Sequence, residues 1–329
     1  MSEPRERSGI VAERFAVLNR VARAAADRVF GAGFVLLVLA SLVFASLRLL
    51  PGDPTSLVLG EQAPESERAL LRARLGLDAP LSTQYVKFVA GLATLDLGDS
   101  LSRPGVPAFA EVGRALGPTS ALAAVAVALG AVGGIAVALL ATGPWLARRR
   151  EWVHRAILAV AATPLVAVAP AVTFLVAVKY RIVPLPGDPE SGALGLLFAS
   201  ALLATPLGAQ VARIARAALL DQRHAKYLEV ARAKGASEFR VFVVHALPVA
   251  SGPIAVVVAS QLGALLGGAV VLERLFERPG LGTLMLNAYA SRDIPVLEAA
   301  VVAAGGLFIL AQAGAAAATA IVDPRGQTT

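Results

Sequence analysis

The sequence predicts an all-α polytopic membrane protein with six transmembrane helices, and three observations carry that reading. Hydrophobic residues fill 57% of the 329 positions and charged residues only 16%, whereas a soluble domain carries about 25% charge. The deficit is concentrated in runs almost free of charge, each near the ~20 residues that a helix needs to cross a bilayer. The cations instead gather in the segments between runs, as at Arg148, Arg149 and Arg150, the distribution that fixes topology in a membrane.

The same composition limits the chemistry. A net charge of +7 invites a nucleic-acid reading, but aromatics are only 5% and do not interleave the basic segments as a base-stacking platform requires. No nucleic-acid partner is expected; membrane lipid is. Cysteine is absent, and His154, His224 and His245 stand far apart, so no metal site is expected. The phosphate-binding pattern G-x-x-x-x-G-K-[ST] is missing, as are H-E-x-x-H and G-x-S-x-G. Ionisable groups are scarce inside the apolar runs, and catalysis needs such groups. The chain reads as a non-enzyme with no catalytic residues and no cofactor of its own.

Taken in order, residues 1–28 form a polar, arginine-rich extension whose Val11, Phe15, Leu18 and Ala22 share one helical face. An uncleaved first span follows at about 30–50, with the N-terminus assigned to the cytoplasm. Pro51, Gly52, Asp53 and Pro54 make a sharp turn into an outer loop, 51–117, too polar to span. Within it, 64–75 reads as a helix ended by Gly76, and 81–92 as another. The second span is placed at about 118–144, where Gly130, Gly133 and Gly134 permit close helix contact. The third, about 156–178, contains Pro164 and Pro170 and is expected to kink. The fourth lies at about 193–212, with Pro206 inside it.

A polar cytoplasmic loop, 219–247, comes next, inside a stretch holding seven cations between Arg213 and Arg240. Tyr227, Leu228, Val230, Ala231 and Ala233 have helical spacing, and Arg232 and Lys234 suit the negative end of that helix. Gly235 sits where a left-handed terminating residue belongs. Ser237 can cap a second short helix through Ala246, and Leu247 and Pro248 open the next apolar run. The fifth span, about 247–272, is uncharged; Gly263, Gly267 and Gly268 offer small-residue steps for a neighbouring helix, in the same chain or in a second subunit. Residues 273–295 are too polar to span, too apolar to float free, and read as an outer re-entrant-like segment. The sixth span occupies about 296–320, with the C-terminus inside. The domain layout is therefore an extension (1–28), a six-span domain (29–325) and a short tail (326–329). Among polar groups placed in spans (Gln210, Ser260, Gln261, Glu298, Gln312), Ser260 and Gln261 are the candidates for facing a pathway.

At this point the motifs resemble a known family. Glu229, Val230 and Ala231, then Gly235 after three residues, then His245, Ala246, Leu247 and Pro248 after nine more, follow the EAA loop of ABC-importer permeases. Val230 and His245 depart from the usual Ala and Ile. PGDP after the first span, LGLDAPLSTQYVKFV and LDLGDSL downstream, and the terminal VDPRG resemble the dipeptide/oligopeptide/nickel branch. So do Glu273, Phe276, Pro279, Gly280, Leu281, Gly282 and Leu284, which fall on the pattern V-x-E-x-x-F-x-x-P-G-L-G-x-L. The resemblance runs from about Phe30 to Arg325 and implies the type I ABC-importer permease fold.

It further implies a bacterial-type inner-membrane protein, with both termini cytoplasmic, that forms half of a translocation pathway. The implied partners are a second homologous permease, two cytoplasmic ABC ATPases carrying ATP and Mg, and an extracytoplasmic solute-binding protein. Di- or oligopeptides are the implied substrates. Tyr227, Glu229, Ala231, Arg232, Lys234, Gly235, Leu247 and Pro248 would couple to the ATPases. Asp53, Glu273, Phe276, Pro279, Gly280 and Gly282 would lie at the outer gate, on the binding-protein side. An ion-driven carrier is the competing class, but such carriers place charges or broken helices near mid-membrane, and the spans place no acid or base at mid-depth. A non-transporting scaffold would not need the 273–284 pattern.

Overall fold

In the computed structural model, residues 30–49, 55, 59–60, 62–144, 148 and 150–322 are described. The extension at 1–28, Asp53 and the tail at 326–329 lie outside them. Eleven helices of eight or more residues organise the described chain. The first, α1 (Phe30–Leu49), is a long apolar helix. Two shorter helices follow, α2 (Glu65–Leu75) and α3 (Leu81–Thr94). Each begins after a proline, Pro64 or Pro80, and ends in a left-handed residue, Gly76 or Leu95.

Next come α4 (Ala108–Thr142), α5 (Arg150–Ala162), α6 (Leu165–Lys179) and α7 (Gly192–Asp221). The second span thus starts ten residues earlier than its composition suggests, inside the segment read as outer loop. Glu111 and Arg114 mark that first part as polar, but the buried Glu111 carboxylate is paired with Arg103 at 2.9 Å and with Arg114 at 3.0 Å. Pairing lets a charged turn join an apolar helix.

The third span is also more than kinked. α5 and α6 meet at Thr163–Pro164 with a 104° bend, so they form one broken span or a re-entrant pair. Proline disfavours helical geometry in the residue before it and has no N–H to donate. Pro118, Pro170, Pro206 and Pro253 by contrast stay inside helices. Five single helices, or six spans with the bent pair, are long and apolar enough to cross a membrane.

After α7 the chain forms α8 (Lys226–Ala233), α9 (Glu238–Leu275), α10 (Leu281–Ala290) and α11 (Ile294–Val322). The expected short helix through Ala246 is not separate. It runs into the fifth span through a π turn, Val241–Ala246, giving one helix of 38 residues. The wider π turn sits just before Pro248, whose ring would crowd the carbonyl of an ordinary preceding turn.

Three apolar clusters hold the helices. The largest joins α4, α7, α8 and α9 through residues such as Leu122, Leu203, Leu207, Leu228, Val241 and Leu272. A second joins the start of α4 to α10 and α11 through Val112, Leu281 and Val296. A third joins α1 to α3 through Ala40, Phe44 and Phe88. Gly130 and Gly134 let α4 lie against α7: a Cβ at either would fall within 3 Å of Leu207 or Val211. Gly263 and Gly268 likewise serve packing within the chain, against Phe308 and against Leu203 and Leu165, while Gly133 and Gly267 face open space. Large apolar side chains such as Val132, Val166, Phe174 and Val256 stay exposed on the outside of the bundle. Such a surface suits lipid or another membrane subunit.

Candidate functional site

The two motif-bearing regions sit at opposite ends of α9. At its start, α7 ends at Asp221 and a tight turn leads through Ala225 into α8. Leu228 and Ala231 are buried against the main cluster, whereas Tyr227, Glu229 and Val230 are exposed. One face of α8 is therefore fixed to the bundle and the other is presented outward. The helix closes in a Schellman motif: Gly235 N–H donates to Arg232 O at 2.9 Å, and Ala236 N–H donates to Ala231 O at 3.1 Å. Gly235 has φ +83°, in the left-handed region that favours glycine.

Beyond that bend, the Ser237 hydroxyl accepts from Arg240 N–H at 3.4 Å and caps α9. Arg232 reaches across the elbow to Glu238, with Nε at 2.8 Å from Oε1. That hydrogen bond holds the guanidinium above its ordinary pKa, against a lowering by partial burial. Tyr227 donates its hydroxyl to Gln222 Oε1 at 2.5 Å. What burial the ring has raises the pKa of the phenol. Lys234, Gly235 and Pro248 are exposed and Leu247 is half-buried. The elbow thus brings together every residue the sequence marks for coupling except Leu247 and Pro248, which lie further up α9.

At the far end of α9, Glu273 is buried without a cation partner among the described residues. Its Oε1 accepts from the Thr119 hydroxyl at 2.5 Å, and its Oε2 accepts from Gly282 N–H at 2.8 Å and Thr283 N–H at 3.2 Å. Thr119 Oγ1 accepts in turn from Leu281 N–H at 2.8 Å. The carboxylate therefore serves the free N–H groups at the start of α10, where a negative charge is favoured. This gives the Glu273-to-Gly282 spacing a physical reason. A Cβ at Gly280 would lie 2.2 Å from the Glu273 carboxyl, and one at Gly282 would lie 2.5 Å from Val270 Cα. Phe276 is buried edge-on against Phe198, and Pro279 is exposed on the turn. The loop before α7 packs here too, Gly187 N–H donating to Phe276 O at 3.2 Å.

The segment read as re-entrant-like is accordingly a short helix folded back between α4, α9 and α11. Its other end is held by Asp293, a residue the sequence reading did not single out. Asp293 Oδ2 accepts from the Ser100 hydroxyl at 2.5 Å and Ser102 N–H at 3.1 Å, while Oδ1 accepts from Val296 N–H at 3.4 Å. The LDLGDSL loop is thereby tied to the start of α11. Asp293 two residues before Pro295 was a legible cap signal. Thr119 was not, being one hydroxyl in a long apolar run.

A third contact was also missed. Arg48 on α1 meets Glu298 on α11 at 2.5 Å, hydrogen-bonds Gln84 on α3 at 3.2 Å and stacks over Phe44. Glu298, read as a helix–helix group, is in that contact. Of the two pathway candidates, Ser260 is exposed and donates to Val257 O of its own helix at 2.9 Å, and Gln261 is half-buried. Among the described residues no cluster of three His, Asp or Glu could hold a metal ion.

A helical bundle with five or six candidate spans, a polar elbow at one end of a long helix and a buried carboxylate clip at the other is the architecture of an integral membrane protein. Residues 130–327 match the family described as "Binding-protein-dependent transport system inner membrane component", and residues 21–114 match its N-terminal companion. The chain belongs to that family: it is a membrane permease subunit of a binding-protein-dependent ABC importer, with the importer permease fold, and its place is the inner membrane. It works with other components of such an importer. It is 31% identical to "Probable peptide ABC transporter permease protein y4tP" of Sinorhizobium fredii, over 86% of this chain and 92% of that one. It is 33% identical to the "Glutathione transport system permease protein GsiC" of Salmonella paratyphi A, again over 86% and 92%.

Proposed function

We propose that this chain imports short peptides as one of two homologous permeases in a heterodimer, driven by two ATPases that dock on the elbow. The observation that carries this is the elbow's geometry: a short helix with one face buried and one exposed, set off by Gly235 and continuous with a span-length helix. Such an element can receive a push and move a membrane helix. The names of the relatives support the substrate class, since glutathione is itself a tripeptide. The basic character of 213–240 supports a cytoplasmic elbow and, with it, cytoplasmic termini.

In this reading a solute-binding protein delivers peptide on the far side, ATP and Mg stay in the partner ATPases, and this chain needs no cofactor. ATP-driven closure of the ATPases draws the elbows together and shifts the population of pathway states; hydrolysis resets them. Tyr227, Glu229, Arg232 and Lys234 supply the docking face, and Gly235 the bend.

Gentle extraction from native membranes, followed by identification of copurifying chains, tests the assembly. Recovery of a second permease and ATPases is expected. Gly235→Asp places a side chain and a charge at a left-handed bend, so the complex should insert normally while ATP hydrolysis no longer drives uptake. Normal peptide uptake by that variant would overturn the docking assignment. Purification of the chain alone, with proton- or sodium-driven uptake, would overturn the importer reading.

A further inference from the structure

We propose that Glu273 and Thr119 are positioning residues for transport, pinning the far end of α9 to α4 and α10 so that movement at the elbow becomes movement of the clip. This rests on the elbow being the ATPase-docking element. The argument starts from the shaft of α9. Its contacts with the rest of the bundle are apolar and small-residue: Gly268 against Leu203 and Leu165, Gly263 against Phe308. Its hydroxyls, Ser251 and Ser260, turn back on their own helix, donating to Pro248 O and Val257 O. Apolar contacts of this kind permit helices to slide by small amounts.

The far end is different. Glu273 and Thr119 join three helices through four directional hydrogen bonds in a buried setting, all between 2.5 and 3.2 Å. Thr119 belongs to α4, whose backbone meets that of α7 directly, a Cβ at Gly134 falling 2.6 Å from Gly208 O, whereas Gly263 and Gly268 of the α9 shaft meet side chains. Without the Thr119 hydroxyl α9 and α10 would still move together, because Glu273 bonds Gly282 and Thr283 and Gly282 lies against Val270, but their displacement would reach α4 only through apolar contacts. Buried polar bonds suit this task because breaking them without replacement is unfavourable, so the junction moves as one body.

The test uses the complete importer in proteoliposomes, with its binding protein and a fluorescent tripeptide, reading peptide transported per ATP hydrolysed. Thr119→Val keeps the side-chain shape and removes the hydroxyl; Thr119→Ser restores it; Gly235→Asp is the elbow control. Both Thr119 variants are normalised to intact complex recovered by size exclusion. Thr119→Val should lower transport per ATP by about tenfold, within the range of couplings between distant sites, with basal hydrolysis unchanged and Thr119→Ser near normal. Unchanged transport per ATP in Thr119→Val, with only a lower yield of intact complex, would overturn the proposal while leaving the elbow assignment standing. Should Gly235→Asp transport normally, the elbow assignment fails instead, and the Thr119 result no longer concerns coupling. Glu273→Gln keeps the bonds to Gly282 and Thr283 through its amide oxygen, and its amide N–H can donate to the second lone pair of Thr119 Oγ1; a ratio near that of the unsubstituted protein is expected, and a loss as large as in Thr119→Val would count against the pin.

Discussion

The elbow and the clip lie at the two ends of one helix, and each is a short helix set at a bend that contains glycine. Their glycines do opposite jobs. Gly235 has open space around it and a φ of +83°, so it is there for backbone conformation. Gly280 has φ −142°, which any residue adopts, but its missing side chain makes room for the Glu273 carboxyl. Polar contacts differ in the same sense. The elbow's Arg232–Glu238 pair is partly solvated, while the Glu273–Thr119 bonds are buried. The elbow is a presented surface held by one buried face; the clip is an internal joint.

That contrast can be broken from its strongest point downward. Gly282→Ala puts a carbon against the Val270 backbone, which cannot swing away, and should cost about 3 kcal/mol or more. Loss of intact protein on size exclusion after mild heating is the expected result. Leu228→Ala removes the fully buried anchor of α8 and should cost about 2 to 3 kcal/mol. Thermal unfolding of the solubilised chain checks it, and protease cleavage near 222–235 should increase in parallel. Gly235→Ala meets no neighbour and should cost only the left-handed strain, about 1 kcal/mol. A loss as large as that of Gly282→Ala would mean the two bends are not distinct. Glu238→Gln removes a partly exposed ion pair and should shift stability by at most about 0.5 kcal/mol. The shift should vanish when the melt is repeated in high salt.

Legibility followed the same divide. Helix α8, the left-handed Gly235 and the Ser237 cap were all readable, because a Schellman closure and a cap depend on residues within one turn. The clip's spacing was readable as a pattern, but its cause was not, since Thr119 lies 154 positions from Glu273. The start of α4 was missed because Glu111 and Arg114 look like loop residues until Arg103 is seen beside them. The bend at Pro164 was foreseen as a kink, yet its 104° angle depends on how α5 and α6 pack against α7.

Composition, apolar run length and the spacing of glycine, proline and charge determined the fold class, the apolar centre of each span and the family. These are local quantities, fixed by how about 20 consecutive residues partition between water and hydrocarbon. Only the tertiary structure decided that the fifth span and the elbow are one continuous helix, that Gly263 and Gly268 pack within the chain, and that Glu273 closes on Thr119. The physical reason is that hydrogen bonds and close contacts between helices depend on rotation and register. Those are settled by the whole bundle packing at once, not by any segment alone.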